Sequence, residues 1–181
     1  MAGSRQTSER HAASPLPIRL ARVQGKRVVI LASRFNQAVT EGLVDGARQV
    51  LRRYGMTPAR VPTYWVPGAF ELPAAAAAVA ATQHPDAMIA LGCLLKGETP
   101  QYAALGYAVA QGLTQVSVAQ GIPVSFGVII ADSFAKAKAR AGRGPSNRGR
   151  EAALAALAMI DLMDELSNTI PETDAKAHES A

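Results

Sequence analysis

Four short aliphatic runs, each followed by a helical stretch, constrain this chain more than any other feature. The first, Arg27–Ser33 (RVVILAS), is β-branched and too short for a core helix, so it reads as a fully buried strand. Similar runs lie near Arg60–Val66, at Asp86–Leu95 (DAMIALGCLL) and at Pro123–Ile130 (PVSFGVII). Helical patterns separate them. Thr40–Tyr54 carries Leu43, Ala47, Val50 and Leu51 on one face and ends at Gly55. An alanine-rich helix is predicted over 70–82, and another over Thr99–Gln120, where Pro100 is tolerated in the first turn. A short helix at about Asp132–Ala141, a Gly/Pro/Ser loop and a last helix from Gly149 to about Leu166 complete the pattern.

Strands that are apolar on both faces and alternate with helices need a parallel sheet covered on both sides. The expected fold is therefore α/β, a three-layer α/β/α sandwich on a four-stranded parallel sheet. The expected organisation is one domain over residues 27–167, a basic tail over 1–26 and a frayed tail over 168–181. In open α/β sheets a ligand sits beyond the carboxyl ends of the strands. That edge carries Ser33–Asn36, Pro67–Glu71, Leu94–Gln101 and Ile130–Ser133.

The net charge of +5 raises nucleic acid as a partner, and its distribution argues against one. Residues 1–27 hold six of the 19 basic residues and only Glu9 of the 14 acids, so the rest of the chain balances at 13 of each. The body has no excess charge with which to hold a phosphate backbone. The basic stretch reads as a solvated extension. No apolar run reaches the length of a membrane span, and the N-terminus shows no apolar signal core, so neither membrane nor export is expected. The single cysteine, Cys93, excludes an internal disulfide and fits a reducing compartment, the cytoplasm. Within an apolar strand its thiol reads as inert packing.

Taken singly, the edge residues are ambiguous. Phe35 just past a buried strand can stack on a planar ligand or cap the core. Glu71 in the first turn of a helix can favour the helix dipole or accept hydrogen bonds from a polyol. Lys96-Gly97-Glu98-Thr99-Pro100-Gln101 is a glycine turn at a helix start, able to offer backbone N–H groups to an anion. It is neither a Walker loop nor a dinucleotide fingerprint. Arg140 and Arg148 suit phosphate, as do many arginines that are simply solvated.

Together the blocks FN after the first strand, VPGAFELP, DAMIALGCLLKGETP, GIPVSFGVI and RAG…NRGREAA resemble lumazine synthases in order and spacing, over about residues 27–163. The resemblance implies a flavodoxin-like fold of lumazine synthase type and an enzyme of riboflavin biosynthesis. Such enzymes condense 5-amino-6-ribitylaminopyrimidinedione with 3,4-dihydroxy-2-butanone 4-phosphate to dimethylribityllumazine, phosphate and water. Neither cofactor nor metal is implied. It further implies that Phe35 stacks on the pyrimidine ring, and that Ala69, Phe70 and Glu71 meet the ribityl chain. Backbone groups of Cys93, Leu94 and Leu95 would meet the polar ring edge. Glu98, Thr99 and Arg140 would hold the phosphate, while Phe126 and Arg148 close the pocket, in part from a neighbouring subunit. The implied partners are these small molecules and further copies of the chain, as a pentamer or a sixty-subunit shell.

The chain departs from the family's pattern mildly at Asn147-Arg148-Gly149, where the family has Asn-Lys-Gly, and more consequentially at the start of the helix predicted over Thr99–Gln120. Where the family carries a proton-shuttling histidine, this chain has Gln101, followed by Tyr-Ala-Ala in place of aromatic-Asp-aromatic. Glutamine donates and accepts hydrogen bonds but does not exchange a proton near neutral pH. His11 and His178 fall in the tails, and His84 precedes the third strand, at the opposite edge of the sheet. The departure leaves two readings open: an active synthase in which Gln101 orients, or a lumazine- or flavin-binding shell paralogue without turnover. A generic flavodoxin-like regulatory domain would explain the fold but not the pocket blocks.

Overall fold

The computed structural model describes residues 17–169. Four strands form its centre: β1 (Val28–Ser33), β2 (Thr63–Val66), β3 (Ala87–Leu95) and β4 (Val124–Ala131). Six helices surround them: α1 (Leu20–Val23), α2 (Gln37–Arg53), α3 (Leu72–Gln83), α4 (Gln101–Gln120), α5 (Phe134–Ala139) and α6 (Arg148–Thr169). The sheet runs β2-β1-β3-β4 and every pairing is parallel. That order is the flavodoxin-like one, and the expected four-stranded, three-layer architecture is the observed one.

All six residues of β1 are buried, as are eight of the nine in β3. The two apolar clusters correspond to the two faces of the sheet. Leu43, Ala47 and Leu51 of α2 and Ala153, Leu157 and Ile160 of α6 pack with Ile30, Ile89 and Leu91 on one face. Leu72 and Ala76 of α3 and Val109 and Leu113 of α4 pack with Leu31, Met88 and Val128 on the other. Burying a side chain such as Leu or Ile contributes about 1.5–3 kcal/mol, so these two seams supply most of what orders the strand ends.

Small residues bring the helices close. A Cβ on Gly149 would lie 1.9 Å from the Leu43 carbonyl oxygen, so α6 starts directly against α2. Boundaries depart from the sequence reading where local chemistry intervenes. β2 starts at Thr63 rather than near residue 60, because Pro58–Arg60 is a turn of 3-10 helix and Pro62 has no N–H to give a ladder. Another such turn, Ala69–Glu71, precedes α3. The short helix starts at Phe134, where the Ser133 hydroxyl accepts from the Lys136 N–H at 3.3 Å.

Residues 17–26, read from the sequence as part of a basic tail, belong to the folded body. Val23 is fully buried, Arg19 and Arg22 pair with Asp161 and Glu165 of α6, and Lys26 reaches Asp86 and Asp164. The acids that neutralise this stretch, Asp86 apart, lie some 140 positions away in sequence, which is why a local charge count presents it as an unbalanced extension. Residues 1–16 and 170–181 of the two expected tails lie outside the described residues.

Candidate active site

The carboxyl edge of the sheet holds two cavities. The first, of about 400 Å³, opens between the ends of β1 and β3 and the start of α4. The chain leaves β1 under tight control: Arg34 N–H donates to the Val66 carbonyl at 2.8 Å and Phe35 N–H to that of Pro67 at 3.0 Å. Asn36 then stands at φ 59°, ψ 40°, a left-handed conformation that asparagine tolerates better than most residues. Its side-chain amide donates to the Cys93 carbonyl at 2.9 Å. The backbone so held turns the Phe35 ring outward, 70% exposed. Phe70, 60% exposed, stands on the same cavity wall, so two aromatic faces are open to a planar guest.

Ala69, Phe70 and Glu71 line this cavity together with Cys93, Leu94 and Leu95 from the end of β3. The Glu71 carboxylate accepts from the Gly68 N–H at 2.7 Å. It therefore performs the helix-start role that the sequence allowed, and keeps lone pairs for a further donor. Cys93 is 1% exposed and burial pushes its thiol up to about 11. The thiol is thus an inert part of the wall, as read from sequence. Gly97 and Thr99 of the exposed turn and Gln101 at the start of α4 complete the lining, while Glu98 lies on the same turn outside it.

The second cavity, of about 600 Å³, lies along β4 and α5. Phe126 of β4, Lys136, Arg140 and Arg148 line it. Arg140 and Arg148 both pair with the Glu151 carboxylate, Arg140 at 3.6 Å. Lys136 pairs with Asp132 at 2.5 Å, a contact that holds the Asp132 carboxyl below its ordinary value. Lys136, Arg140 and Arg148 stand against two carboxylates, Asp132 and Glu151, and the net positive charge suits a small anion. Within one chain, then, Phe35, Ala69–Glu71, Cys93–Leu95, Thr99 and Gln101 come together, and Phe126, Arg140 and Arg148 form a separate group. Tyr102 lines both cavities.

Asn36, Tyr102 and Asn147 stand in the stretches read from the sequence but carry no role in that reading, and Lys136 is not named there. Two left a signal: Asn36 lies between a strand and a helix, where positive φ is common, and Asn147 directly before a helix, where asparagine caps. His84 caps α3 on the far side of the sheet and is exposed. Among the described residues no group of three or more His, Cys, Asp or Glu side chains is placed to hold a metal ion. No described helix is long and apolar enough to cross a membrane.

Fold and edge together define a flavodoxin-like α/β domain whose strand ends carry an aromatic-rimmed cavity beside a cationic one. A family model described as 6,7-dimethyl-8-ribityllumazine synthase matches residues 25–164, and the chain belongs to that family. Proteins named 6,7-dimethyl-8-ribityllumazine synthase are similar to it over most of their length. The one from Protochlamydia amoebophila is 40% identical, over 78% of this chain and 82% of its own. That from Halorhodospira halophila is 40% identical over 81% and 94%, and that from Stenotrophomonas maltophilia 42% identical over 79% and 92%.

Proposed function

We propose that this protein condenses 5-amino-6-ribitylaminopyrimidinedione with 3,4-dihydroxy-2-butanone 4-phosphate to 6,7-dimethyl-8-ribityllumazine, as a step of riboflavin biosynthesis in the cytoplasm. The observation that carries this reading is the pairing of an aromatic-rimmed cavity with a cationic one at the ligand edge of a lumazine synthase domain. In this reading Phe35 stacks on the pyrimidine ring, and backbone groups of Cys93, Leu94 and Leu95 satisfy its polar edge. Ala69, Phe70 and Glu71 receive the ribityl chain. The Glu98–Thr99 turn and Arg140 hold the phosphate, with Phe126 and Arg148 closing over the reactants.

The chemistry needs few catalytic groups. The ring amine attacks the ketone and water leaves to give an imine; elimination then expels inorganic phosphate, and ring closure releases a second water. Holding two reactants in register supplies roughly 7–11 kcal/mol, whereas a general acid–base group adds about 10²–10⁴-fold. Gln101 stands in the first cavity at the family's proton-shuttle position and orients the reacting groups, while water or the substrate phosphate carries protons. No cofactor takes part.

Assembly belongs to the same reading. Helix α4 contains no charged residue and exposes Tyr107 and Val118 at 80% and 79%. Helix α6 exposes Leu154, Met159, Leu162 and Leu166. Uncharged and apolar faces of this extent fit contacts between copies. At least a pentamer is expected, with the cationic cavity of one copy completing the aromatic cavity of the next; a sixty-subunit shell remains compatible with the length of the Gly142–Gly149 loop. The test is steady-state kinetics of Phe35→Ala and Arg140→Ala. Phe35→Ala should raise KM for the pyrimidine, and Arg140→Ala that for the phosphate ester. Unchanged constants in both would remove this assignment.

A further inference from the structure

We propose that Asn147 is a positioning residue for the Arg140–Arg148 pair, setting the arginine wall that receives a phosphate-bearing substrate. The inference rests on the assignment of the cationic cavity to phosphate. Asn147 is 2% exposed and stands immediately before α6. Its Oδ1 accepts from the Arg150 N–H at 3.1 Å, an ordinary helix N-cap. Its amide nitrogen does something a cap does not need. It faces three carbonyls: Gly42 at 3.0 Å, Ala141 at 2.9 Å and Gly142 at 2.8 Å.

Those carbonyls belong to α2 and to the segment that follows α5. One side chain thus joins α2, the end of α5 and the start of α6. Each arginine is one residue from a held group: Arg140 precedes Ala141, and Arg148 follows Asn147. The Arg148 N–H also donates to the Arg140 carbonyl at 2.9 Å. Helix α2 leaves no slack behind the amide, since a Cβ on Gly46 would lie 2.4 Å from Asn147 Oδ1 and 2.8 Å from Nδ2.

Capping and grip are separable by substitution. Asp and Ser cap a helix as well as Asn does, but neither presents an NH2 group to three carbonyls. Asn147→Ser removes the grip. Asn147→Asp sets a carboxylate oxygen against the same carbonyls. Gly46→Ala displaces the whole side-chain amide, Oδ1 nearest, from the α2 side while leaving residue 147 unchanged, so it disturbs cap and grip together where Asn147→Ser removes the grip alone.

The experiment measures KM for each substrate, and Ki for inorganic phosphate, in the purified full-length protein and these variants, with Arg140→Ala as reference. The expected result is a rise of about tenfold in the KM of the phosphate ester and in phosphate Ki, as for loss of one to two buried hydrogen bonds. The pyrimidine KM should stay within about twofold, because Phe35, Ala69–Glu71 and the Cys93–Leu95 backbone that receive it lie outside the segments Asn147 holds. A merely structural role would lower kcat per total protein and leave both KM values and the phosphate Ki in place, which overturns the inference. Unchanged phosphate Ki in Asn147→Ser and Gly46→Ala alongside a raised Ki in Arg140→Ala overturns the inference alone. An unchanged Ki in Arg140→Ala overturns the phosphate assignment with it.

Discussion

The side-chain amide of Asn36 donates to the backbone carbonyl of Cys93 at 2.9 Å, tying the exit of β1 to the end of β3. The bond holds Phe35 and the Cys93–Leu95 backbone in a common frame, so the wall that would face a planar ring and the wall that would meet its edge move as one. Asn36→Ala loses the bond and places alanine at φ 59°. The expected cost is about 2–4 kcal/mol, from an unpaired partly buried carbonyl and a left-handed alanine. Asn36→Gly loses only the bond and should fall between the two. Urea unfolding of the three proteins checks the order.

The start of α6 is a second point of little tolerance. Alanine is the better helix former by about 1 kcal/mol, yet Gly149→Ala would drive a Cβ to 1.9 Å from the Leu43 carbonyl oxygen. Backbone cannot rotate away as a flexible side chain can, so the substitution should destabilise by about 3 kcal/mol. Thermal unfolding should show a clear fall in Tm; an unchanged or higher Tm would mean that α2 and α6 separate freely.

Acid sensitivity should concentrate where residues 17–26 meet α6. Burial raises the Asp161 carboxyl, but the Arg19 hydrogen bonds outweigh it and leave the group below its ordinary 3.8. Arg19 likewise holds Glu165 below 4.5. Carboxyls depressed in the folded state stabilise it above their unfolded values, and that contribution is lost as pH falls through the folded ones. Stability should therefore decline from about pH 4.5 downward, and less steeply in Asp161→Asn. Urea midpoints from pH 7 to pH 3 test this; parallel curves for the two proteins would contradict it.

The strands were legible because a doubly covered parallel sheet requires short runs apolar on both faces, and VVILAS and AMIALGCLL are such runs. The ligand edge followed from strand direction alone. The limit at residue 27 was not legible, since Arg19 and Asp161 meet only after the chain has folded. Nor was the division of the candidate site, which depends on how the β3–α4 turn sets Tyr102 between Gln101 on one side and Arg140 on the other. Glu71 shows the reverse case. Its helix-start role was readable from position, and the bond to Gly68 fits it, whereas the ligand-facing role proposed for it was only one of two readings of that position.

The measurement that bears most directly on the account is steady-state turnover of the purified protein with both substrates, beside Gln101→His. Lumazine formation clearly above the uncatalysed background is expected, with a raised KM for the phosphate ester in Arg140→Ala and a rate increased by the histidine, up to about 10²-fold if proton transfer limits it. Tight lumazine or flavin binding with no turnover, in the native protein and in Gln101→His alike, would contradict it and make this chain a binding or shell protein on a synthase fold.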